Sequence, residues 1–169
     1  MVYFGLDELS FVISLLYCLY PSPNSSMRAI AWNCQGICNV STVTTLRVRI
    51  RTHCREVIFL FETKASDSRM NSILNVVGFS NYVAIGPKGR NCGVCLIWSS
   101  TINVEVIEYN SQTIGIKIIE RHCSWVLIGF YGLPSYKLKM KSWVDLRAFL
   151  LTNRESWMCM GDINVMLED

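Results

Sequence analysis

The chain has 169 residues, about one domain by length, and 51% of them are hydrophobic, so a sizeable core can be buried. Charged residues make up 17%, below the roughly 25% of an average soluble domain, which points to a Val/Ile- and Cys-rich β core or to a chain lacking part of its solvent-facing structure. The net charge of +3 is spread over scattered Lys and Arg; it suits a phosphate-bearing partner but gives no basic stripe of the kind a strong nucleic-acid binder carries.

Residues 1–26 read as a leader and linker outside the fold. The apolar run from Phe11 to Tyr20 is shorter than the about 20 residues a membrane-spanning helix needs. Asp7 and Glu8 precede it where a secretory signal would carry Lys or Arg. Pro21-Ser22-Pro23-Asn24-Ser25-Ser26 follows as a linker, and Met27 would serve as a natural start. No membrane partner is expected.

Arg28 to Cys34 reads as a first buried strand. Val40 to about His53 follows as a helix, with Val43, Leu46 and Ile50 at helical spacing, although its threonines weaken the signal. Val57 to Phe61 is a continuous apolar run, as in a strand covered on both faces. From Ser66 to Val77 the helical spacing of Met70, Ile73, Leu74 and Val77 is clear, with Ser66 or Asp67 to cap it and Gly78 to end it.

Short strands are then expected at Tyr82–Ile85, Gly93–Trp98, Asn103–Tyr109, Ile114–Ile119 and Trp125–Tyr131. A third helix runs from Lys137 to Asn153 with Met140, Trp143, Leu146, Phe149 and Leu150 on one side, and Trp157–Met160 is a last strand. The order β-α-β-α, a meander of strands, then α-β suits helices packed outside two facing sheets.

The cysteines at 18, 34, 38, 54, 92, 95, 123 and 159 suggest reduced intracellular thiols in a chain of this length. The pairs Cys34/Cys38 and Cys92/Cys95 have zinc-like spacing. Along a strand, however, residues three apart point to opposite faces, so the second pair would chelate poorly.

Four apolar runs end in polar residues: Asn33, Glu62, Tyr131, and Gly161-Asp162-Ile163-Asn164. Polar groups are costly in the middle of a strand buried on both faces and are placed at its ends. If the strands are neighbours, those ends meet on one rim. Glu62 and Asp162 offer hard oxygens for Mg²⁺, Asn33 and Asn164 can hold a water or a phosphate oxygen, and Tyr131 can donate to a phosphate or serve as a phenolate. Taken singly, each has a plainer reading: a solvated strand end for Glu62, turn residues for the Asn and Asp, a wet core aromatic for Tyr131. Their recurrence at successive strand ends favours a shared site.

Ala31-Trp32-Asn33-Cys34-Gln35-Gly36, Phe61-Glu62-Thr63-Lys64 and Gly161-Asp162-Ile163-Asn164, with the segments Gly93–Trp98 and Gly129–Pro134, resemble the endonuclease/exonuclease/phosphatase family in that order. More closely, they look like the endonuclease domain of plant non-LTR retrotransposons. The resemblance covers Met27 to Asp169 and implies a four-layer α/β sandwich, two facing sheets between outer helices. It implies Mg²⁺ (Mn²⁺ as the alternative ion) held by Glu62 with support from Asn33, Tyr131 against the scissile phosphate, and Asp162 orienting and deprotonating the attacking water. Asn164 would hold the phosphate in the transition state. DNA or another phosphodiester would be the substrate, and the product a nick with a free 3′-hydroxyl. A nuclear site of action is favoured by the resemblance alone.

Departures stand beside it. Gln35 replaces a common Arg, Ile163 a Phe, Cys92 a Gly, and Pro134 an Asn that contacts phosphate in some members. The family pattern continues past Asp169 with a further Asp and a His. His53 and His122 lie elsewhere and read as exposed polar residues. A fragment close to inactive on its own is therefore the expectation. The alternatives are a non-catalytic nucleic-acid-binding or interaction module on the same fold, which has no need of paired acids, and a phosphatase of the same family.

Overall fold

The computed structural model describes residues 15–17, 27–52, 56–87, 92–132 and 136–162. Its elements in chain order are β1 (Leu15–Tyr17), β2 (Ala29–Asn33), α1 (Val40–Thr52), β3 (Val57–Phe61), α2 (Asp67–Val77), β4 (Asn81–Ile85), β5 (Val94–Trp98) and β6 (Asn103–Tyr109). They continue with β7 (Thr113–Ile119), β8 (Ser124–Tyr131), α3 (Tyr136–Thr152) and β9 (Ser156–Asp162).

One sheet has the order β2-β3-β5-β4, the other β1-β9-β8-β7-β6. Strands β2 and β3 are parallel and joined through α1; β8 and β9 are parallel and joined through α3. Parallel neighbours need such a crossover, whereas β4 with β5, β6 with β7 and β7 with β8 are antiparallel neighbours, and the chain passes from the first sheet to the second between β5 and β6.

Two facing sheets follow from the side-chain alternation. Phe59, Phe61, Val94 and Leu96 from the first sheet pack against Ile114, Ile116, Ile118, Leu127 and Met160 from the second. The outer face of the first sheet (Ile58, Leu60, Cys95, Ile97) is covered by Leu46 of α1 and Met70, Ile73 and Leu74 of α2. The outer face of the second (Val126, Ile128, Phe130, Cys159) is covered by Leu146 of α3. This is the expected four-layer sandwich. Each fully buried Phe, Ile or Leu stabilises it by roughly 1.5–3 kcal/mol.

Close approach of the sheets depends on Gly129, where an added Cβ would stand 2.5 Å from the Phe59 ring. Helix α2 starts at Ser66, whose hydroxyl accepts from the Arg69 amide, and ends at Gly78 in the left-handed region.

Three details differ from the sequence reading. Leu15–Tyr17, in the segment read as a leader, pairs antiparallel with Trp157–Cys159 at the edge of the second sheet. Met140, expected on the core side of α3, is 51% exposed; α3 meets the sheet through the partly buried Trp143, which packs on Phe130, and through the buried Leu146. Strand β9 runs on to Asp162 because it pairs with β8 as far as Tyr131. Among the described residues no helix is long and apolar enough to cross a membrane.

Candidate active site

The two parallel pairs deliver the candidate residues. Asn33 ends β2 and Glu62 follows β3; Tyr131 ends β8 and Asp162 ends β9. The registers Asn33↔Phe61 and Tyr131↔Asp162 place each pair of ends level. Because the sheets face each other, both pairs of ends share one rim.

Contacts across that rim join all four. The Asn33 amide nitrogen donates to Glu62 Oε1 at 3.1 Å and to Asp162 Oδ2 at 3.4 Å. Tyr131 donates its hydroxyl proton to the same Glu62 Oε1 at 2.9 Å. Asn33 Oδ1 accepts the Gln35 amide at 3.2 Å, which fixes the amide with its nitrogen toward the carboxylates. The two carboxylates are thus no farther apart than the two Asn33 hydrogen bonds combined. Lys64 brings a half-exposed ammonium to 3.7 Å from Glu62 Oε2.

Tyr131 is buried and its ring stacks on Phe61 at 5.9 Å between centroids. Burial first, and then the hydrogen bond to Glu62, hold its phenol well above the ordinary tyrosine range. In this arrangement it is a neutral donor, and the phenolate role considered from sequence would need a cation beside it.

Backbone strain is concentrated here. Gln35, Glu62 and Lys64 have φ of 47°, 52° and 50°, a left-handed conformation that side-chain-bearing residues seldom adopt. The turn after Glu62 is held from the residues that lead into β5: the Thr63 amide donates to the Gly93 carbonyl at 3.1 Å and the Lys64 amide to that of Cys92 at 2.7 Å. Gly93 is required for this approach, since a Cβ there would lie 2.6 Å from the buried Thr63 hydroxyl. Glycine is equally required at 161, where a Cβ would overlap the Phe130 carbonyl. Nothing in the residue types at 35, 62 and 64 announces these conformations, so sequence reasoning missed them.

The donor set suits a hard divalent cation: two carboxylates held close by neutral donors, with one half-exposed ammonium to offset their repulsion. Among the described residues no group of three or more His, Cys, Asp or Glu side chains forms a ready-made cage. Mg²⁺ is commonly bound through one or two carboxylates with waters and phosphate oxygens, so two acids are enough.

The remaining sequence candidates lie apart or outside. Asn164 and Pro134 are outside the described residues, as is His53. His122 is exposed in the turn between β7 and β8, at the end of β8 opposite Tyr131. The two cysteine pairs are separated by burial: Cys34 and Cys95 are in the core beneath the helices, Cys38 is exposed and Cys92 lies at the rim.

No family model and no curated protein matches the chain in sequence. Solved structures do match in shape. An AP endonuclease from Archaeoglobus fulgidus superposes with a TM-score of 0.63 at 21% identity over 82% of this chain. A 3′ phosphatase from Neisseria bound to a product DNA hairpin gives 0.58 at 16% identity over 83%. The endonuclease domain of the telomere-specific non-LTR retrotransposon TRAS1 gives 0.52 at 10% identity over 81%. The chain spans 58% of the first and 59% of each of the other two. At these identities the likeness establishes the fold, that of the endonuclease/exonuclease/phosphatase proteins.

Proposed function

We propose that this chain carries one part of a divalent-metal-dependent phosphodiesterase centre of the DNA endonuclease type. The observation that carries the reading is the meeting of Glu62, Asp162, Asn33 and Tyr131 on one rim, joined by Asn33 and Tyr131 across two sheets. A binding module needs donors and cations for phosphate; it has no use for two carboxylates brought together against their repulsion.

Glu62 and Asn33 would hold Mg²⁺ or Mn²⁺, Glu62 as the ligand and Asn33 by keeping the carboxylates in place. A bound divalent ion would neutralise phosphate charge and stabilise the developing oxyanion. Tyr131 would donate its hydroxyl proton to a phosphate oxygen. Asp162, aligned beside it, would orient the attacking water and accept its proton. Asn164, two residues on, would hold the phosphate. The motif order and the retrotransposon endonuclease among the structural neighbours support a retroelement origin and DNA as substrate; the plant-type motifs refine that origin.

Binding of the ion precedes any turnover. The test therefore reads binding first. A saturating Mg²⁺ concentration about ten times Kd stabilises a protein by about 1.4 kcal/mol, which raises Tm by roughly 3–6 °C at this size. Glu62→Gln should abolish that shift, and Asp162→Asn should abolish any Mg²⁺-dependent nicking of supercoiled plasmid. An equal shift in Glu62→Gln would overturn the assignment. Salt-dependent DNA binding with no metal effect would favour the non-catalytic module.

A further inference from the structure

Asn33 and Glu62 arise from different strands, and Cys34 lies at the junction between them. It follows Asn33 directly and is 6% exposed, within the core beneath α1 and α2. Its amide donates to the Phe61 carbonyl at 3.1 Å, one step beyond the β2–β3 ladder. Its thiol lies 3.1 Å from the same carbonyl and 3.7 Å from that of Glu62. The thiol therefore touches both peptide carbonyls that flank the Glu62 Cα.

That Cα is itself strained, at φ 52°. For a residue with a side chain this conformation costs about 1–2 kcal/mol and persists only where the surroundings impose it. The bonds from Thr63 and Lys64 to Gly93 and Cys92, just before β5, fix the chain after Glu62. The peptides on either side of Glu62 itself are met by Cys34.

Resting on the reading of Glu62 as the metal ligand, we infer that Cys34 is a positioning residue. Its S–H bridges the two carbonyls around Glu62, holds the left-handed turn, and so sets the direction in which the carboxylate leaves the strand toward Asn33 and Asp162. Cys34 touches neither metal nor substrate and acts through Glu62.

Mn²⁺ titration of the full chain, followed by electron paramagnetic resonance, tests this in the wild type, Glu62→Gln, Cys34→Ala and Cys34→Ser. Cys34→Ala should bind Mn²⁺ roughly three- to tenfold more weakly, the effect of one lost hydrogen bond, and Cys34→Ser should recover affinity to within about twofold. Cys34→Val, which also lacks a donor but keeps the core filled, replaces Cys34→Ala if that variant does not fold. A folded donor-less variant that binds Mn²⁺ as tightly as the wild type would make Cys34 a packing residue and leave the Glu62 reading standing. Cys34 would equally be a packing residue if Cys34→Ser bound as weakly as Cys34→Ala. Wild type binding no better than Glu62→Gln would overturn both.

Discussion

Gly161→Ala is expected to damage both the stability of the second sheet and the carboxylate centre. Gly161 is buried, has φ 153°, and stands opposite Phe130 in the parallel β8–β9 pair. A Cβ there would overlap the Phe130 carbonyl oxygen and lie 2.8 Å from its carbon and 3.0 Å from the Phe130 nitrogen. All three are backbone atoms in a central strand, so no side chain can swing aside and β9 itself must move. Overpacking costs typically 1–3 kcal/mol, and the backbone conformation adds about 1 kcal/mol more, giving ~3 kcal/mol. At this chain length that is a fall in Tm of roughly 6–12 °C. Gly78→Ala is the control: its φ of 85° carries the conformational penalty, but nothing lies within 4 Å of the added atom, so about 1 kcal/mol should be lost. The displacement of β9 also moves Asp162, and Mg²⁺-dependent stabilisation should shrink in Gly161→Ala and persist in Gly78→Ala. Thermal melts with and without Mg²⁺ read both effects. Equal losses in the two variants would show that the clash at Phe130 is relieved at no cost, and the close-packed account of this strand pair would fail.

Alkaline pH and a helix cap give two further expectations. Burial raises the Cys34 and Cys159 thiols from 9.0 to about 11 and about 12. Groups raised in the folded state contribute stability that is complete below the unfolded value and is lost as pH climbs toward the folded one. Stability should therefore hold up to about pH 9 and then fall by up to about 1.4 kcal/mol per pH unit for each such thiol, as urea midpoints at pH 8 and pH 10 would record; a flat profile would contradict the burial of these thiols. Ser66→Ala removes the hydroxyl that accepts the Arg69 amide at the start of α2 and should cost about 1 kcal/mol in the same urea assay, with Mn²⁺ affinity unchanged.

The elements that sequence reading locates best owe their limits to local chemistry. β3 is bounded by residues with clear partners, and its apolar run gives Val57–Phe61 without error. Helix α2 is legible from Ser66, Gly78 and the spacing between them. Elements decided by distant pairing are less legible. β9 gains Gly161 and Asp162 because β8 extends alongside, and Leu15–Tyr17 becomes a strand because the edge of β9 is there to pair with. Met140 fits the helical spacing of α3 but lies one turn ahead of the contact made by Trp143, information the spacing does not contain. For the site, residue types and order single out Asn33, Glu62, Tyr131 and Asp162. The left-handed turns at Gln35, Glu62 and Lys64 leave no trace in a pattern that would mark them only with glycine.

The arrangement of the two crossovers explains why the site needs both sheets. The β2-α1-β3 unit supplies Asn33 and Glu62, and the β8-α3-β9 unit supplies Tyr131 and Asp162. Each unit thus brings one carboxylate and one neutral donor, and each donor reaches into the other unit: Asn33 to Asp162, Tyr131 to Glu62. A carboxylate presented by one unit alone would remain a solvated strand end, which is how each of these residues reads in isolation. Facing the units across a core of Phe59, Phe61 and Leu127 brings like charges together, and the crossed hydrogen bonds hold them there. Close carboxylates repel each other until a cation neutralises them, so under the proposed reading the folded sandwich itself would raise the affinity of the rim for a divalent ion. The cost of that placement is met by the packed interior between the sheets, where Gly129 lets Phe59 lie directly against β8.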